Sequence, residues 1–232
     1  MNDFRDFMMD LETVGKRPGC AILSIGIVPF NIMDDIVGTG MEVHIGLADN
    51  VRLGLELDPE TMEEFWFKPE HNAALNAVWV PALRSPNTVY EACEAVGQFV
   101  AAHGGLTRAD SIKMWGNGAN FDQPIFNVAA ARAGWKNNIW KFWNEPCYRT
   151  MKDWLKTEMA AAGTYPTVQP AALKHCAVAD ADFQARQLVA AMRKFRGHES
   201  RYAVVPETKE RPTGSFRAML SGEDATATDP AK

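Results

Sequence analysis

The sequence predicts an α/β fold in which a mixed β-sheet is flanked by α-helices. Three strand-like segments come first, at 7–13, 20–30 and 36–46, and helix-like segments follow them, with a late strand at 111–115. Strands followed by helices, with one further strand among the helices, are typical of a mixed sheet covered by helices. With 232 residues, 47% of them hydrophobic, the chain can bury one substantial core.

The first strand-like segment contains two acidic residues. Residues 7–13 form a short apolar run that closes on Asp10-x-Glu12, which is the pattern of a buried strand with a polar end. Side chains two residues apart on a strand share a face, about 7 Å apart, so both carboxylates can flank one cation. A solvated turn is the commoner interpretation of the dipeptide alone. Carboxylates beside a buried segment, however, are costly unless they are paired or metal-bound.

The next segments complete the predicted sheet and its covering helices. Strands at 20–30 and 36–46 should form an antiparallel meander with the first strand. Helices are predicted near 59–67, 87–103, 122–133, 148–161 and 176–196. We expect one domain at 1–205 and, from a composition rich in proline, threonine and acidic residues, a polar C-terminal tail at 206–232.

A third acid, Asp122, stands between a predicted strand and a predicted helix. It follows the strand at 111–115 and a glycine-bearing linker, and it begins the helix at 122–133. An acid at a helix start is often only a cap. The order strand, turn and helix also places this carboxylate at the carboxyl end of the sheet, where open α/β folds bind ligands. Asp122 can therefore cap the helix and face a site at the same time.

His175 and Asp180 form the spacing His-x4-Asp where the last helix begins. On a helix the two side chains would lie about 140° apart, so both line one metal only if His175 belongs to the preceding turn. That offset suits a base on the side opposite the carboxylates better than a further metal ligand. A lone histidine is usually structural, but the spacing to an acid and the two upstream acidic motifs favour a catalytic role here.

Three ordered motifs resemble those of the DEDDh 3′-5′ exonucleases, the family of polymerase proofreading subunits and RNase T. The motifs lie at 9–15, 120–122 and 175–181, and the resemblance spans roughly 4–196. The spacing His-x4-Asp marks the histidine subgroup, since the tyrosine subgroup has Tyr where this chain has Cys176.

A closer resemblance is to the phage exodeoxyribonuclease A branch and its bacterial exoribonuclease relatives. It is carried by Trp-Gly-Asn-Gly at 115–118 and Phe-Trp-Asn at 142–144. The stretch Glu64-Phe65-Trp66 resembles a helix of that branch with paired tryptophans, although Phe65 takes the first position here. The branch includes both DNA- and RNA-degrading enzymes, so the motifs leave the sugar of the substrate open. We expect DNA as substrate, with RNA trimming as the alternative.

The resemblance implies a ribonuclease H-like fold and a phosphodiesterase that uses two divalent cations, Mg²⁺ or Mn²⁺. Asp10, Glu12 and Asp180 would bind the cation beside the attacking water. Asp10 would bridge to the second cation, which Asp122 would support directly or through water. His175 would take the proton from the attacking water, since an imidazole pKa of about 6.5 suits neutral pH. By family analogy, contacts to the terminal nucleotide are expected from Leu11, Thr13 and Val14, and weaker candidates are Trp66, Asn117 and Asn120.

The charge distribution allows a nucleic-acid substrate. The net charge of −5 argues against a polyanion binder by itself. The segment 132–156, however, carries six basic residues against two acidic ones, together with four tryptophans. Cations interleaved with aromatic rings suit single-stranded nucleic acid, while a tryptophan-rich core with solvated charges is a nearly equal alternative.

We expect release of nucleoside 5′-monophosphates. A nucleic-acid-binding module that has lost catalysis is less favoured because all five site residues are present.

The remaining features concern the setting of the protein. Four cysteines without a Cys-x-x-Cys pair argue against a zinc site or a disulfide framework, so a reducing cytoplasm is expected. No apolar stretch is long enough to cross a bilayer, and residues 1–6 lack the order of a signal peptide. A homodimer is a possible assembly.

Overall fold

The computed structural model describes most of the chain between Phe4 and Val205. The described residues are 4–104, 109–136, 139–160, 163, 165–169, 174–198, 200, 202 and 204–205. The predicted tail at 206–232 lies outside them, so the division into a domain and a tail stays a prediction.

A mixed β-sheet stands at the centre of the described structure. Its strands are β1 (Asp6–Thr13), β2 (Ile22–Asn31), β3 (Ile36–Val37), β4 (Met41–His44) and β5 (Lys113–Trp115). β1 lies between β2, which is antiparallel to it, and β5, which is parallel to it. β3 and β4 both pair with β2. The carboxyl ends of β1 and β5 therefore meet at the same end of the sheet.

The prediction of one strand at 36–46 is wrong, because β3 and β4 are separate strands. The chain leaves the ladder of β2 between them, opposite Pro29. The N–H of Gly38 donates to the carbonyl oxygen of Pro29 at 2.8 Å, but a proline has no N–H with which to return the bond. Regular pairing resumes only where Met41 lies opposite Ile27.

Helices cover both faces of this sheet, which confirms the predicted fold class. The α-helices are α1 (Leu47–Arg52), α2 (Pro59–Thr61), α3 (Asn72–Ala74), α4 (Val80–Arg84), α5 (Val89–Gly104), α6 (Asp122–Arg132), α7 (Tyr148–Ala160) and α8 (Ala177–Phe195). A π-helical turn, Met62–Trp66, extends α2, and a second one, Leu75–Trp79, joins α3 to α4. Short 3₁₀ turns lie at Pro69–His71, Ala109–Ser111 and Phe142–Asn144, and β6 (Thr167–Val168) pairs with β7 (Val204–Val205). The sequence predicted α5 to α8 and the segment from α2 to Trp66, but it did not predict α1 or the helical run at 69–84.

The alternation of side chains along β1 separates two hydrophobic cores. Phe7, Met9 and Leu11 pack in the larger core with residues of α5 and α6. Met8 packs in the smaller core with residues of α7 and α8. Successive strand residues point to opposite faces, so Asp10 belongs to the row of Met8. The pleat therefore turns the even-numbered acids of β1 toward α8.

Helix α8 approaches the sheet closely at Gly26, which lies opposite Asp10 in the β1–β2 ladder. A Cβ added to Gly26 would stand 2.1 Å from the carbonyl carbon of Ala177 and 2.3 Å from the backbone nitrogen of Val178. Only a residue without a side chain permits this approach, because backbone atoms cannot move aside as a flexible side chain can. The first turn of α8 is thereby brought against the strand that carries Asp10.

Two further observations concern the described residues as a whole. No helix among them combines the length and the apolar character that a bilayer crossing requires. All four cysteines are free, and Cys20 and Cys93 are buried.

We predict that Gly26→Ala destabilises the protein by about 3 kcal/mol or more, the upper end of the cost of overpacking, because the added methyl group meets backbone atoms. Gly97→Ala is the matched control. Gly97 lies inside α5, where an added Cβ meets side chains only at ordinary contact distances of 3.4 Å and more, and alanine favours a helix by about 1 kcal/mol over glycine. Urea unfolding of both variants checks the pair. Equal stability of the two would contradict the importance of the α8 contact.

Candidate active site

The two acids of β1 stand at its carboxyl end on the face toward α8. The Oδ1 atom of Asp10 accepts a hydrogen bond of 2.7 Å from the side-chain amide of Gln184, which lies on α8. Glu12 is buried, with 7% of its surface exposed. Gln184 is a site residue that the sequence analysis missed. Its position four residues after Asp180, on the same helix face, is the signal that could have revealed it.

Asp122 begins α6 and is fully buried beside β1. Its Oδ1 atom accepts from the backbone N–H of Leu11 at 3.2 Å, and its Oδ2 atom accepts from the backbone N–H of Asn117 at 2.7 Å. The carboxylate thus ties the start of α6 to β1 and to the loop after β5. Both of its oxygens are engaged by backbone donors, and each can accept one more interaction because a carboxylate oxygen has two lone pairs.

His175 lies in the turn before α8, and Asp180 lies in the first turn of the helix. The backbone of His175 is left-handed, with a φ of 59°, a conformation that costs a non-glycine residue about 1–2 kcal/mol. The Oδ2 atom of Asp180 accepts a hydrogen bond of 2.9 Å from the backbone N–H of His175. This bond offsets part of the strain and fixes the histidine beside the acid.

Glu12, His175 and Asp180 converge on one point. Each offers a ligand atom, and these three atoms lie within 4.8 Å of one another. The angular argument from the sequence required His175 to lie outside the helix for this to occur, and the left-handed turn provides that position. The geometry therefore brings His175 into the acidic group, close enough to act either as a base beside a cation or as one of its ligands.

Burial raises the pKa of four carboxyl groups at this site. It is the largest cause at Asp10, whose pKa is held well above its usual range, and the nearby charges of Asp122 and Glu12 add to it. Burial, then the charges of Asp180 and Glu42, raises the pKa of Glu12 to about 8. Burial likewise raises the pKa of Asp122 to about 6 and also raises that of Asp180. Four acids in one buried group cannot all ionise without positive countercharge.

His175 has the opposite shift, and it lies among aromatic rings. Burial, with smaller contributions from His71 and Lys174, lowers its pKa, while the charge of Asp180 opposes the change. Its ring stands edge-on to Phe65, with centroids 4.9 Å apart, and Phe65 stacks on His71 at 4.1 Å. The lowered pKa favours the neutral imidazole, the form that accepts a proton or binds a metal.

A cavity of about 660 Å³ opens in front of these groups. It has the size of a pocket for a drug-sized ligand. Among the predicted contact residues, Leu11, Thr13, Trp66 and Asn117 line it, whereas Val14 and Asn120 do not.

Trp66 takes part in the cavity wall from a buried position. Only 1% of its surface is exposed, and its indole N–H donates to the carbonyl oxygen of Thr13 at 2.9 Å. Its neighbour Phe65 is half-buried and lines the same cavity. Trp66 thus supports the strand that carries Glu12, and Phe65 offers the more accessible ring.

The segment 132–156 contributes less to the cavity than its composition suggested. Trp135 and Trp140 are buried and donate to carboxylates, whereas Trp143 and Trp154 are exposed. None of these four tryptophans lines the cavity. The residues of this segment that do are Tyr148, Lys152 and Lys156.

Solved structures with the same fold are nucleases. The nuclease domain of 3′hExo, a DEDDh family member whose structure holds rAMP, matches with a TM-score of 0.55 and 10% identity over 88% of this chain and 96% of that one. Exonuclease I of E. coli, in complex with a dA16 oligonucleotide, matches with a TM-score of 0.51 and 13% identity over 82% of this chain and 41% of that one. Identities this low show a shared fold.

Proteins of curated function and protein families were also compared with the chain. No protein of curated function matches it. The model of the 3′-5′ exoribonuclease Rv2179c-like domain matches residues 5–192, which is most of its length. The chain therefore belongs to the family of the 3′-5′ exoribonuclease Rv2179c-like domain, and it is a 3′-5′ exonuclease.

Proposed function

We propose that this exonuclease removes nucleotides one at a time from the 3′ end of single-stranded nucleic acid, with two divalent cations, and releases nucleoside 5′-monophosphates. The observation that carries the proposal is the convergence of Glu12, His175 and Asp180 within 4.8 Å. Asp10 shares their cavity, and Asp122 lies behind it against the backbone of β1. The family supplies the 3′-5′ direction, and the open cavity supports attack at a chain end.

The donor set fits Mg²⁺ or Mn²⁺, since these cations prefer carboxylate oxygens. Asp10, Glu12 and Asp180 would hold the first cation, and Asp10 and Asp122 would hold the second. Bound there, two cations activate the attacking water and stabilise the leaving oxygen. The raised pKa of Glu12, about 8, and that of Asp10 support this assignment, because they show a group of acids that needs countercharge.

The side chains of the chain perform the remaining steps of the mechanism. His175, neutral and held by the backbone bond to Asp180, accepts the proton of the attacking water. Gln184 donates to one oxygen of Asp10, whose side chain lines the cavity. Phe65 and His71 pack around the imidazole and restrict its rotation. Each group is thus positioned before substrate arrives, which reduces the reorganisation that the reaction requires.

RNA and DNA are both candidate substrates, and different observations favour each. The description of the family favours RNA. The motif resemblance to the exodeoxyribonuclease A branch favours DNA. We also propose a reducing, cytoplasmic setting, which four unpaired cysteines support, while the homodimer stays a prediction.

The first prediction concerns the charge of Glu12. Because folding raises its pKa from 4.5 to about 8, the unfolded chain ionises first as pH rises, and the metal-free protein should lose stability between pH 4.5 and pH 8. Glu12→Gln should remove most of that loss, which is at most about 5 kcal/mol, and should also abolish hydrolysis. Urea unfolding at pH 5 and pH 8, with chelator and with Mg²⁺, measures the effect.

Full activity in excess chelator would contradict the two-cation proposal.

The second prediction separates a base from a ligand. His175→Ala should lower kcat by about two to four orders of magnitude, the usual range for the loss of a general base, while the affinity for Mn²⁺ changes little. His198→Ala, at an exposed position after the C-terminal end of α8, is the control and should resemble the wild type. Collapse of Mn²⁺ affinity in His175→Ala, with no rescue at high pH, would reassign His175 as a ligand.

The third prediction concerns strandedness and sugar. Single strands with a 5′ label should shorten as a ladder, since unpaired bases are free to enter and stack, while blunt duplexes should be degraded more slowly. Matched RNA and DNA oligomers of one sequence decide between the two candidate substrates by their kcat/KM values. Circular single strands should resist degradation. Cleavage of a circle would demonstrate endonuclease activity and refute the assignment.

A further inference from the structure

Two lysines of α7 stand out among the basic residues between 132 and 156. Six basic residues occur there, but only Lys152 and Lys156 line the cavity of the acidic site. Of the others, Arg149 donates from its guanidinium to the carbonyl oxygen of Asn117 at 2.7 Å, and Lys136 is exposed outside the cavity. Two of the six basic residues, Lys152 and Lys156, thus lie in the wall of the cavity.

The two lysines are spaced for a repeating ligand. They are four residues apart on α7, so they share a face of the helix. Four residues advance a helix by about 6 Å, which is comparable to the separation of successive phosphates along an extended single strand. One helix face therefore presents two positive charges at a spacing that matches the distance between successive phosphates.

Tyrosine rings support both ammonium groups. The Nζ atom of Lys152 lies 5.5 Å from the ring centroid of Tyr148, and the Nζ atom of Lys156 lies 5.2 Å from that of Tyr165. Both tyrosines line the same cavity. A ring attracts a cation without neutralising it, and both ammonium groups lie beside rings of the cavity wall.

The acidic groups of the cavity are a reason why positive side chains favour binding of a nucleic acid there. Asp10, Glu12 and Asp180 line the same cavity, as does Lys16, and the charges of the three acids repel a polyanion wherever no cation stands between them. A strand that reaches the acids must bring several phosphates into the same space. Positive groups along its path offset that repulsion and raise the local concentration of substrate.

We infer that Lys152 and Lys156 form a phosphate track that holds two consecutive backbone phosphates upstream of the scissile bond. The inference rests on the proposed function, since it names the contact surface of that same site for its substrate. It implies that affinity rises with oligomer length until the strand reaches both lysines, and then levels off.

The experiment compares two double variants that each remove two positive charges. Lys152→Ala/Lys156→Ala removes the track. Lys113→Ala/Lys136→Ala is the control, because both of its lysines are exposed and neither lines the cavity. The substrates are 5′-fluorescein-labelled oligouridylate and oligothymidylate of two and twelve nucleotides, with Mg²⁺ or Mn²⁺ at several NaCl concentrations.

In the track variant, KM for the 12-mer should rise by about tenfold, KM for the dinucleotide should rise much less, and the change should fall on KM more than on kcat. Two lost phosphate contacts should also reduce the slope of log KM against log salt by about 1.4. The control variant should match the wild type in both respects. Lys152→Arg/Lys156→Arg should restore most of the affinity, because it restores the charge.

The possible failures are distinguishable. If the wild type shortens neither polymer with either metal, the proposed function fails. If the wild type degrades the 12-mer but the track variant matches the control in KM and in salt slope, the track is refuted while the function stands. An equal rise of KM for both lengths also refutes the track, because the effect would then lie at the scissile nucleotide.

Discussion

The close approach of α8 to β2 at Gly26 is the contact on which the site depends. Two of the converging groups come from the α8 end, His175 from the turn before the helix and Asp180 from its first turn, while Glu12 comes from β1. At Gly26 the sheet has no side chain, and there the backbone of Ala177 lies against it. Because Gly26 is the ladder partner of Asp10, this close approach lies opposite the first acid.

The strand β1 and the helix α8 could be predicted from the sequence because local rules govern both elements. Alternation along a strand places Asp10 and Glu12 on one face whatever the partner of that face is. The segment around Asp122 has a strand, a turn and a helix start in order, and these are also local signals. The four longest helices of the described residues were predicted within one or two residues of their ends.

The environment of individual side chains could not be predicted in the same way. Trp66 looks like an available ring in sequence, yet the fold buries it and gives its N–H to Thr13. The turn at Met62–Trp66 is π-helical, so its hydrogen bonds span one residue more than those of an α-helix. Periodicity arguments that assume an α-helix therefore misplace the side chains here. In the structure Phe65 is the ring that contacts His175. The tryptophans between 132 and 156 divide between core and surface for reasons of tertiary packing, which composition does not contain.

The hydrogen bond between Asp180 and the backbone of His175 links the proposed metal site to the proposed base. The same carboxylate that can hold a cation also holds the left-handed turn of the imidazole. In the proposed mechanism, a cation at Asp180 would draw charge from this carboxylate and weaken its acceptor strength toward that N–H, so metal binding and the position of His175 would be coupled. Effects of substitutions at Asp180 and His175 should therefore be non-additive. Removal of the Asp180 carboxylate should change the position of His175 as well as the binding of the metal.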